Sequence, residues 1–141
     1  MKIRDVMTPN PRTVSPDDTV QTAARIMQAE DTGAVPVVSN GRVLAVVTDR
    51  DIAVRVVAEG GLPSSPVRDI ASPEVICASP EMSTREASDL MSEHQIRRLP
   101  IVENDMLVGI VSIGDLAVKE NKDSRMGDTL ERISEGVKET L

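Results

Sequence analysis

Aromatic side chains are missing altogether from this 141-residue chain, which has no Phe, Tyr or Trp. Its core must therefore be built from Val, Ile, Leu, Met and Ala. A flat ligand would have to rest between aliphatic side chains and backbone, because no ring is available to stack on it. The same absence weakens any reading as a binder of single-stranded nucleic acid, where stacking supplies much of the affinity. Cysteine is limited to Cys77, which excludes an intrachain disulfide and suits a reducing compartment. Histidine is limited to His94, so one chain cannot assemble a His/Cys metal cluster. His94 reads as a helix-end surface residue and Cys77 as a small apolar residue at a strand end. The formal net charge of -7 argues against a nucleic-acid backbone or an anionic membrane as partner. No apolar run reaches membrane-spanning length, and Met1-Lys2-Ile3-Arg4-Asp5 is not a signal peptide. A cytoplasmic protein is expected. There is no P-loop and no Ser-His-Asp or Cys-His spacing, and no acid pairs with a catalytic partner, so the chain is not expected to be an enzyme or to need a metal.

What is present is a repetition. Shifted by 64 residues, Arg4-Asp5 falls on Arg68-Asp69, Pro9 on Pro73 and Ser15-Pro16 on Ser79-Pro80. Ala23 falls on Ala87, Met27 on Met91, Pro36 on Pro100, Asn40 on Asn104, Val47 on Val111 and Asp51 on Asp115. The register holds without a gap from residue 4 to residue 117. Two copies of so long a unit do not make a solenoid. They predict a pair related by a pseudo-two-fold axis, with clefts where the copies meet. Repeat one spans about 4–61, repeat two about 68–120, and the pair about 1–120, leaving a tail at 121–141.

Each copy reads alike. A short apolar strand is expected near Thr13-Val14 and Val75-Ile76-Cys77. Ser15-Pro16-Asp17-Asp18 and Ser79-Pro80-Glu81 then read as helix starts, with a hydroxyl cap, Pro at the first position and acids in the first turn. Val20, Ala23, Ala24 and Met27 form an apolar stripe at helical spacing, repeated by Ala87, Leu90 and Met91. A hairpin follows in each copy: Ala34 to Val38, a turn at Asn40-Gly41, then Val43 to Thr48; and Leu99 to Val102, a turn at Asn104-Asp105, then Met106 to Ser112. A second helix begins around Asp49–Asp51 and around Gly114-Asp115, and Gly60-Gly61 ends the first of these. The unit is β-α-β-β-α, and the class is α/β (α+β) with small mixed sheets. In the tail, Leu130, Ile133, Val137 and Leu141 share one face of an amphipathic helix, which must dock on its own body or on a second subunit.

The end of each hairpin carries the strongest site signal. Thr48-Asp49-Arg50-Asp51 and Ser112-Ile113-Gly114-Asp115 each place a hydroxyl three residues before an aspartate at a helix start. A carboxylate offers two acceptor oxygens to a vicinal diol such as ribose, and the hydroxyl can donate to a phosphate or sugar oxygen. Both pairs also make sense as helix caps alone. Repetition does not choose between the two, since duplication copies a cap as faithfully as a site, and on this motif alone the cap is favoured.

Taken together, Asp5-Val6-Met7-Thr8-Pro9, the arms Val35-Pro36-Val37 and Leu99-Pro100-Ile101, and the segment Gly109 to Asp115 make the chain resemble a tandem pair of cystathionine-β-synthase (CBS) domains, a Bateman module. The resemblance covers roughly residues 3–118 and leaves the tail unexplained. The compact size is also similar to that of small stand-alone members of that family. It implies a non-catalytic module that holds adenosine-containing ligands (AMP, ADP, ATP or S-adenosylmethionine) in clefts between repeats. It also implies a homodimer and an effector protein as partners. Under it, Asp51 and Asp115 bind ribose, and Thr48 and Ser112 bind ribose or phosphate. The backbone and side chains at Thr13, Val14, Ala34, Val35, Pro36, Cys77, Ala78, Arg98, Leu99 and Pro100 line the adenine slots. Arg97 and Arg98, with Arg50 as a further candidate, reach phosphate, for which guanidinium geometry is suited. Repeat one has Ala45 where repeat two has Gly109, and a methyl there would crowd a backbone approach, leaving one competent and one degenerate site. A ligand-free interaction module is the alternative.

Overall fold

The computed structural model describes residues 1–73 and 75–119. The expected C-terminal helix with Leu130, Ile133, Val137 and Leu141 lies outside the described residues. The elements in chain order are a 3-10 turn at Ile3–Asp5, β1 (Thr8–Pro9), α1 (Val20–Glu30), β2 (Ala34–Ser39), β3 (Arg42–Thr48) and α2 (Asp49–Asp51). A π-helical run, Ile52–Val57, continues α2, and a second 3-10 turn, Val67–Asp69, follows. Then come α3 (Thr84–His94), β4 (Arg98–Glu103), β5 (Met106–Ser112) and α4 (Ile113–Lys119). This is the mixed helix-and-strand class the sequence predicts.

The chain forms two compact units, and neither coincides with a repeat. One comprises Arg12–Val75 with Asp105–Leu107, and the other Met1–Pro11, Ile76–Asn104 and the described residues from Val108 to 119. The segment leading each repeat packs into the unit built by the other repeat. In the unit of repeat two, Ile3 donates its N–H to Met82 O at 2.9 Å, Arg4 to Pro80 O at 3.0 Å, and Thr84 to Met1 O at 3.0 Å. In the unit of repeat one, Val67 donates to Asp18 O at 2.9 Å, Arg68 to Pro16 O at 3.2 Å, and Val20 to Ser65 O at 2.8 Å. These are the same three bonds, displaced by one repeat. Each first helix thereby satisfies an N-terminal N–H that has no partner within the helix. Matching surface ion pairs, Arg4 with Glu81 and Arg68 with Asp17, flank the two junctions. Being exposed, they contribute little beyond orientation.

Each unit has its own aliphatic core. In the unit of repeat one it contains Val14, Val20, Ala23, Ile26, Met27, Val35, Val37 and Val47, closed by Val67 and Ile70 from the exchanged segment. In the other unit Ala87, Met91, Leu99, Ile101, Val111 and Leu116 are closed by Ile3 and Val6. The hairpin β2–β3 runs antiparallel with Ala34 opposite Thr48 and Val37 opposite Ala45. A bulge after Val37 re-aims the strand. Asn40 and Gly41 both take positive φ, 53° and 81°, as a tight two-residue hairpin turn demands. In the second hairpin Asn104 and Asp105 do the same, at 53° and 65°.

Two expectations need correction. Thr13-Val14 does not form a strand. It makes a single parallel bridge, Val14 with Val37, and the counterpart bridge is Ala78 with Ile101 rather than Val75 to Cys77. The turns at Ser15-Pro16 and Ser79-Pro80 stop the extended chain immediately afterwards, with Asp18 N–H on Ser15 O at 3.0 Å and Met82 N–H on Ser79 O at 3.1 Å. Those serines are therefore turn residues, not helix caps. The caps are Thr19, accepting from Thr22 N–H at 3.1 Å, and Ser83, accepting from Glu86 N–H at 3.0 Å. The Ser83-x-x-Glu86 spacing was the readable signal for the second.

The exchange has a testable consequence. Ile3→Ala should destabilise by about 2–5 kcal/mol, and the loss should fall on the unit of repeat two. Native-state hydrogen exchange should show lost protection in β4, β5 and α3 while β2, β3 and α1 stay protected. Val67→Ala should give the opposite pattern.

Candidate functional site

The hairpin ends bring most of the sequence-selected residues together, in two separate clusters, one in each unit. In the first, Val14 lies beside β2, donating to Pro36 O at 3.0 Å and accepting from Val38 N–H at 2.8 Å. Ala34 stands across the ladder from Thr48. Asp49 closes the corner by donating its N–H to Gly33 O at 2.9 Å. Ala34, Thr48, Arg50 and Asp51 thus stand at one end of the hairpin, Val35 and Pro36 follow along β2, and Thr13 is the exposed residue before Val14. The second cluster repeats this. Ala78 donates to Pro100 O at 3.0 Å and accepts from Val102 N–H at 2.8 Å, and Ile113 donates to Arg97 O at 2.9 Å.

Not every selected side chain is available there. Val14 and Val35, and likewise Ala78 and Leu99, are core residues with exposures of 4% or less. Pro36 and Pro100 are buried too. These six therefore present only backbone at the hairpin ends, and the side chains of Val14, Val35, Ala78 and Leu99 pack in the two aliphatic cores. Cys77 is half-buried and has no second cysteine in the chain to pair with. Burial pushes its thiol up from the ordinary value of 9.0, so it is protonated and a poor nucleophile at neutral pH.

The hydroxyl–aspartate pairs form reciprocal caps. Thr48 Oγ1 accepts from Asp51 N–H at 3.1 Å while Asp51 Oδ2 accepts from Thr48 N–H at 2.9 Å. Ser112 Oγ accepts from Asp115 N–H at 3.0 Å while Asp115 Oδ2 accepts from Ser112 N–H at 3.1 Å. The cap reading is therefore correct as local structure, and it leaves chemistry over. Each hydroxyl is used as an acceptor, so its proton can still be donated. Each carboxylate is held by one oxygen. The other oxygen of Asp51 meets only the Arg55 Nε at 3.8 Å, and that of Asp115 has no hydrogen-bond partner among the described residues. Among the described residues the cap thus pins an aspartate rotamer whose second oxygen accepts no hydrogen bond, beside a hydroxyl proton that is not donated.

Arg50 and Arg97 are exposed and Arg98 half-buried, and none makes an ion pair among the described residues. The Gly109/Ala45 difference has a packing cause. A Cβ on Gly109 would lie 2.5 Å from Met7 Sδ and 3.1 Å from Thr8 O. The unit of repeat one has Ala71, from the exchanged segment, where the other leading segment has Met7, and Ala45 is buried in the same core as Ala71. The glycine thus answers to the leading segment of its unit. Two residues outside the selected set also stand at these corners: Gly33, whose place repeat two fills with Arg97, and Asp49, whose place it fills with Ile113. The 64-residue superposition already sets Gly33 against Arg97, and extending it to Asp49 finds the second. Among the described residues no group of three or more His, Cys, Asp or Glu is placed to hold a metal, and no helix is long and apolar enough to cross a membrane.

Comparison with known proteins agrees with this architecture. The CBS domain family matches residues 3–58 and 67–120. CBS domain-containing protein YhcV of Bacillus subtilis is 46% identical over 132 residues, covering 94% of each chain. Hypoxic response protein 1 of Mycobacterium tuberculosis is 33% identical over 116 residues, covering 81% of each. A crystal structure of Hypoxic Response Protein I with two coordinated zinc ions superposes with a TM-score of 0.78 at 32% identity, over 84% of this chain and 98% of that one. At the level of fold alone, two further structures match at 23% identity. CBSX2 in complex with AMP has a TM-score of 0.75, over 86% of this chain and 96% of that one. The CBS domain pair of MJ0100 in complex with 5′-methylthioadenosine and S-adenosyl-L-methionine has a TM-score of 0.77, over 87% and 98%.

The raised thiol value predicts slow chemistry at Cys77. Iodoacetamide at mildly alkaline pH should alkylate the native protein more slowly than the urea-unfolded chain. Because the unfolded chain loses its thiol proton first, this group should also lower folding stability as pH climbs above 9.0. A Cys77→Ala variant should lack that alkaline loss.

Proposed function

The chain belongs to the CBS-domain family, and on that basis we propose that it is a non-catalytic regulatory module binding adenosine-containing ligands: AMP, ADP, ATP or S-adenosylmethionine. The observation that carries this reading is the doubled cap that leaves an aspartate oxygen and a hydroxyl proton side by side at a hairpin end. A ribose diol needs an acceptor edge of this kind, and a sugar or phosphate oxygen needs the donor. Backbone at Val14, Ala34 to Pro36, Ala78 and Leu99-Pro100 offers peptide groups beside each edge, and the aliphatic surroundings suit a chain with no aromatic ring. Adenosine ligands in proteins of the same fold support the ligand class. A regulatory role requires that the ligand bind one state of the module more tightly than another. An effector protein would read that shift.

Homodimerisation belongs to the same proposal. Val54 is 47% exposed on the π-helical run and Val118, its counterpart one repeat on, is 73% exposed on α4. Val57 and Leu62 extend the first of these apolar faces at 71% and 65% exposure. A chain with a single cysteine, which can form no intrachain disulfide, fits a cytoplasmic setting. The alternative is an interaction module without nucleotide, favoured by the fact that capping alone already accounts for Asp51 and Asp115.

Melting with and without AMP separates the two readings. Saturation at about 100 times the dissociation constant should stabilise the protein by about 2.7 kcal/mol. The double variant Asp51→Ala/Asp115→Ala should lose that increment as well as about 1 kcal/mol per cap. Thr19→Ala/Ser83→Ala should pay a similar capping cost and keep the AMP increment. If AMP leaves all of these proteins unmoved, and adenosine and S-adenosylmethionine do the same, the interaction module is the correct reading. The purified protein offers a direct check, because without aromatic residues any adenine absorption band belongs to bound ligand. For the dimer, sedimentation should give twice the chain mass, and Val54→Lys/Val118→Lys should return a monomer.

A further inference from the structure

We propose that Met106 is a reversible oxidation site, at which a peroxide converts the thioether to a sulfoxide and releases the tip of the second hairpin from Gly41. The modification is independent of any nucleotide.

The turns of the two hairpins are built alike and used differently. Asp105–Leu107, from the tip of the second hairpin, belongs to the compact unit of repeat one. There Leu107 donates its N–H to Gly41 O, in the turn of the first hairpin, at 2.9 Å. Beside that bond the Met106 thioether occupies the space that a side chain at residue 41 would need. A Cβ built on Gly41 would collide with Met106 Cε and lie 3.0 Å from its Sδ, and apart from its chain neighbours no other described atom comes within 4 Å of it. Gly41 is therefore required twice, by its positive φ of 81° and as the seat of this thioether. Seat and occupant occur once each. One repeat apart, Asp105 stands in the place of Gly41, and Arg42 in the place of Met106.

The thioether is seated and also open to water. Met106 is 42% exposed, against 8% for Met27 and 0% for Met91. Met7 and Met82 are half-buried, and among the described methionines only Met1 is more open. An oxidant must reach the sulfur lone pair, so exposure sets the order of attack. Met106 Sδ attacks one oxygen of hydrogen peroxide, an S–O bond forms and the O–O bond breaks. The thioether loses two electrons to become the sulfoxide, and the peroxide is reduced to water. The product is bulkier and polar. On the side of the turn, where even a methyl group does not fit, there is no room for the added oxygen. An oxygen turned outward is hydrated and draws the sulfur off its apolar seat. In both cases the packing beside the Leu107–Gly41 bond is lost, and the bond then competes with water. Reversal needs two thiols, which become a disulfide as the oxygen leaves in water. The chain has Cys77 alone, so the reductant must be a separate methionine sulfoxide reductase with its dithiol.

Treatment of the native protein with hydrogen peroxide tests the site, with each methionine followed by peptide mass spectrometry and amide exchange followed by NMR. Met106 should be oxidised well before Met27 and Met91. The Leu107 amide should then exchange about tenfold faster, as expected for loss of one hydrogen bond, while the amides of α1 and α3 stay protected. Methionine sulfoxide reductases with dithiothreitol should restore the slow exchange. Met106→Leu, which keeps an apolar side chain of similar volume, should exchange at the same Leu107 rate before and after peroxide. Oxidation of Met106 no faster than that of Met27 and Met91 would overturn the proposal. So would an unchanged Leu107 rate once Met106 is fully sulfoxide, or an equal peroxide effect in Met106→Leu, which would assign the change to another methionine.

Discussion

The interaction on which the rest of this structure depends is the reciprocal exchange of leading segments. Ile3 and Val6 complete the core of repeat two, and Val67 and Ile70 complete that of repeat one. The backbone bonds that anchor them satisfy the first N–H groups of α1 and α3, which a helix cannot satisfy internally. A repeat on its own would lose a wall of its core and the partner of its helix N-terminus together. Duplication is thus a condition of folding here as well as a doubling of sites. The small aliphatic residues of this chain bury little area each, so cores of this size have little to spare.

The candidate sites inherit their geometry from that frame. Each sits where a hairpin end, an adjacent extended segment and a helix start meet, and each is pinned by a reciprocal cap. The cap consumes one oxygen of the aspartate and the acceptor side of the hydroxyl. It fixes the rotamers and leaves an acceptor edge and a proton for something else. Structural and binding roles are compatible at these residues because carboxylates and hydroxyls carry more hydrogen-bonding capacity than a cap uses. The differences between the copies fall around this shared core, at Gly33 and Arg97, Ala34 and Arg98, Asp49 and Ile113. A duplicated scaffold can diverge there without disturbing either cap.

Much of this was legible from the chain. The hairpins announced themselves by Asn40-Gly41 and Asn104-Asp105 between β-branched runs, since positive φ at two successive positions is chemically selective. The apolar stripe of α1 was readable at Val20, Ala23 and Met27, all buried. Less legible was where that helix begins. Ser15-Pro16-Asp17 has every local mark of a helix start, but Asp18 closes a turn with Ser15 instead and Thr19 takes the cap. Both outcomes satisfy the local chemistry. Packing of the exchanged segment at Val67-Arg68 onto Pro16 and Asp18 accompanies the turn, and that is a contact some fifty residues away in sequence.

The sequence by itself determined the repeat, the composition of the cores, the hairpin turns and the identity of the hydroxyl–aspartate pairs, because each follows from spacing or from the conformational limits of single residues. Only the tertiary structure decided which segment completes which core. It also decided which selected residues keep an accessible side chain at the hairpin ends, and which, like Val14, Val35, Ala78 and Leu99, spend it on the interior. Those outcomes depend on which surfaces meet across long stretches of chain. The placement of Asp49 against Gly33 is of the same kind: neither residue is unusual alone, and only the fold sets a carboxylate at the corner where the other repeat sets a guanidinium.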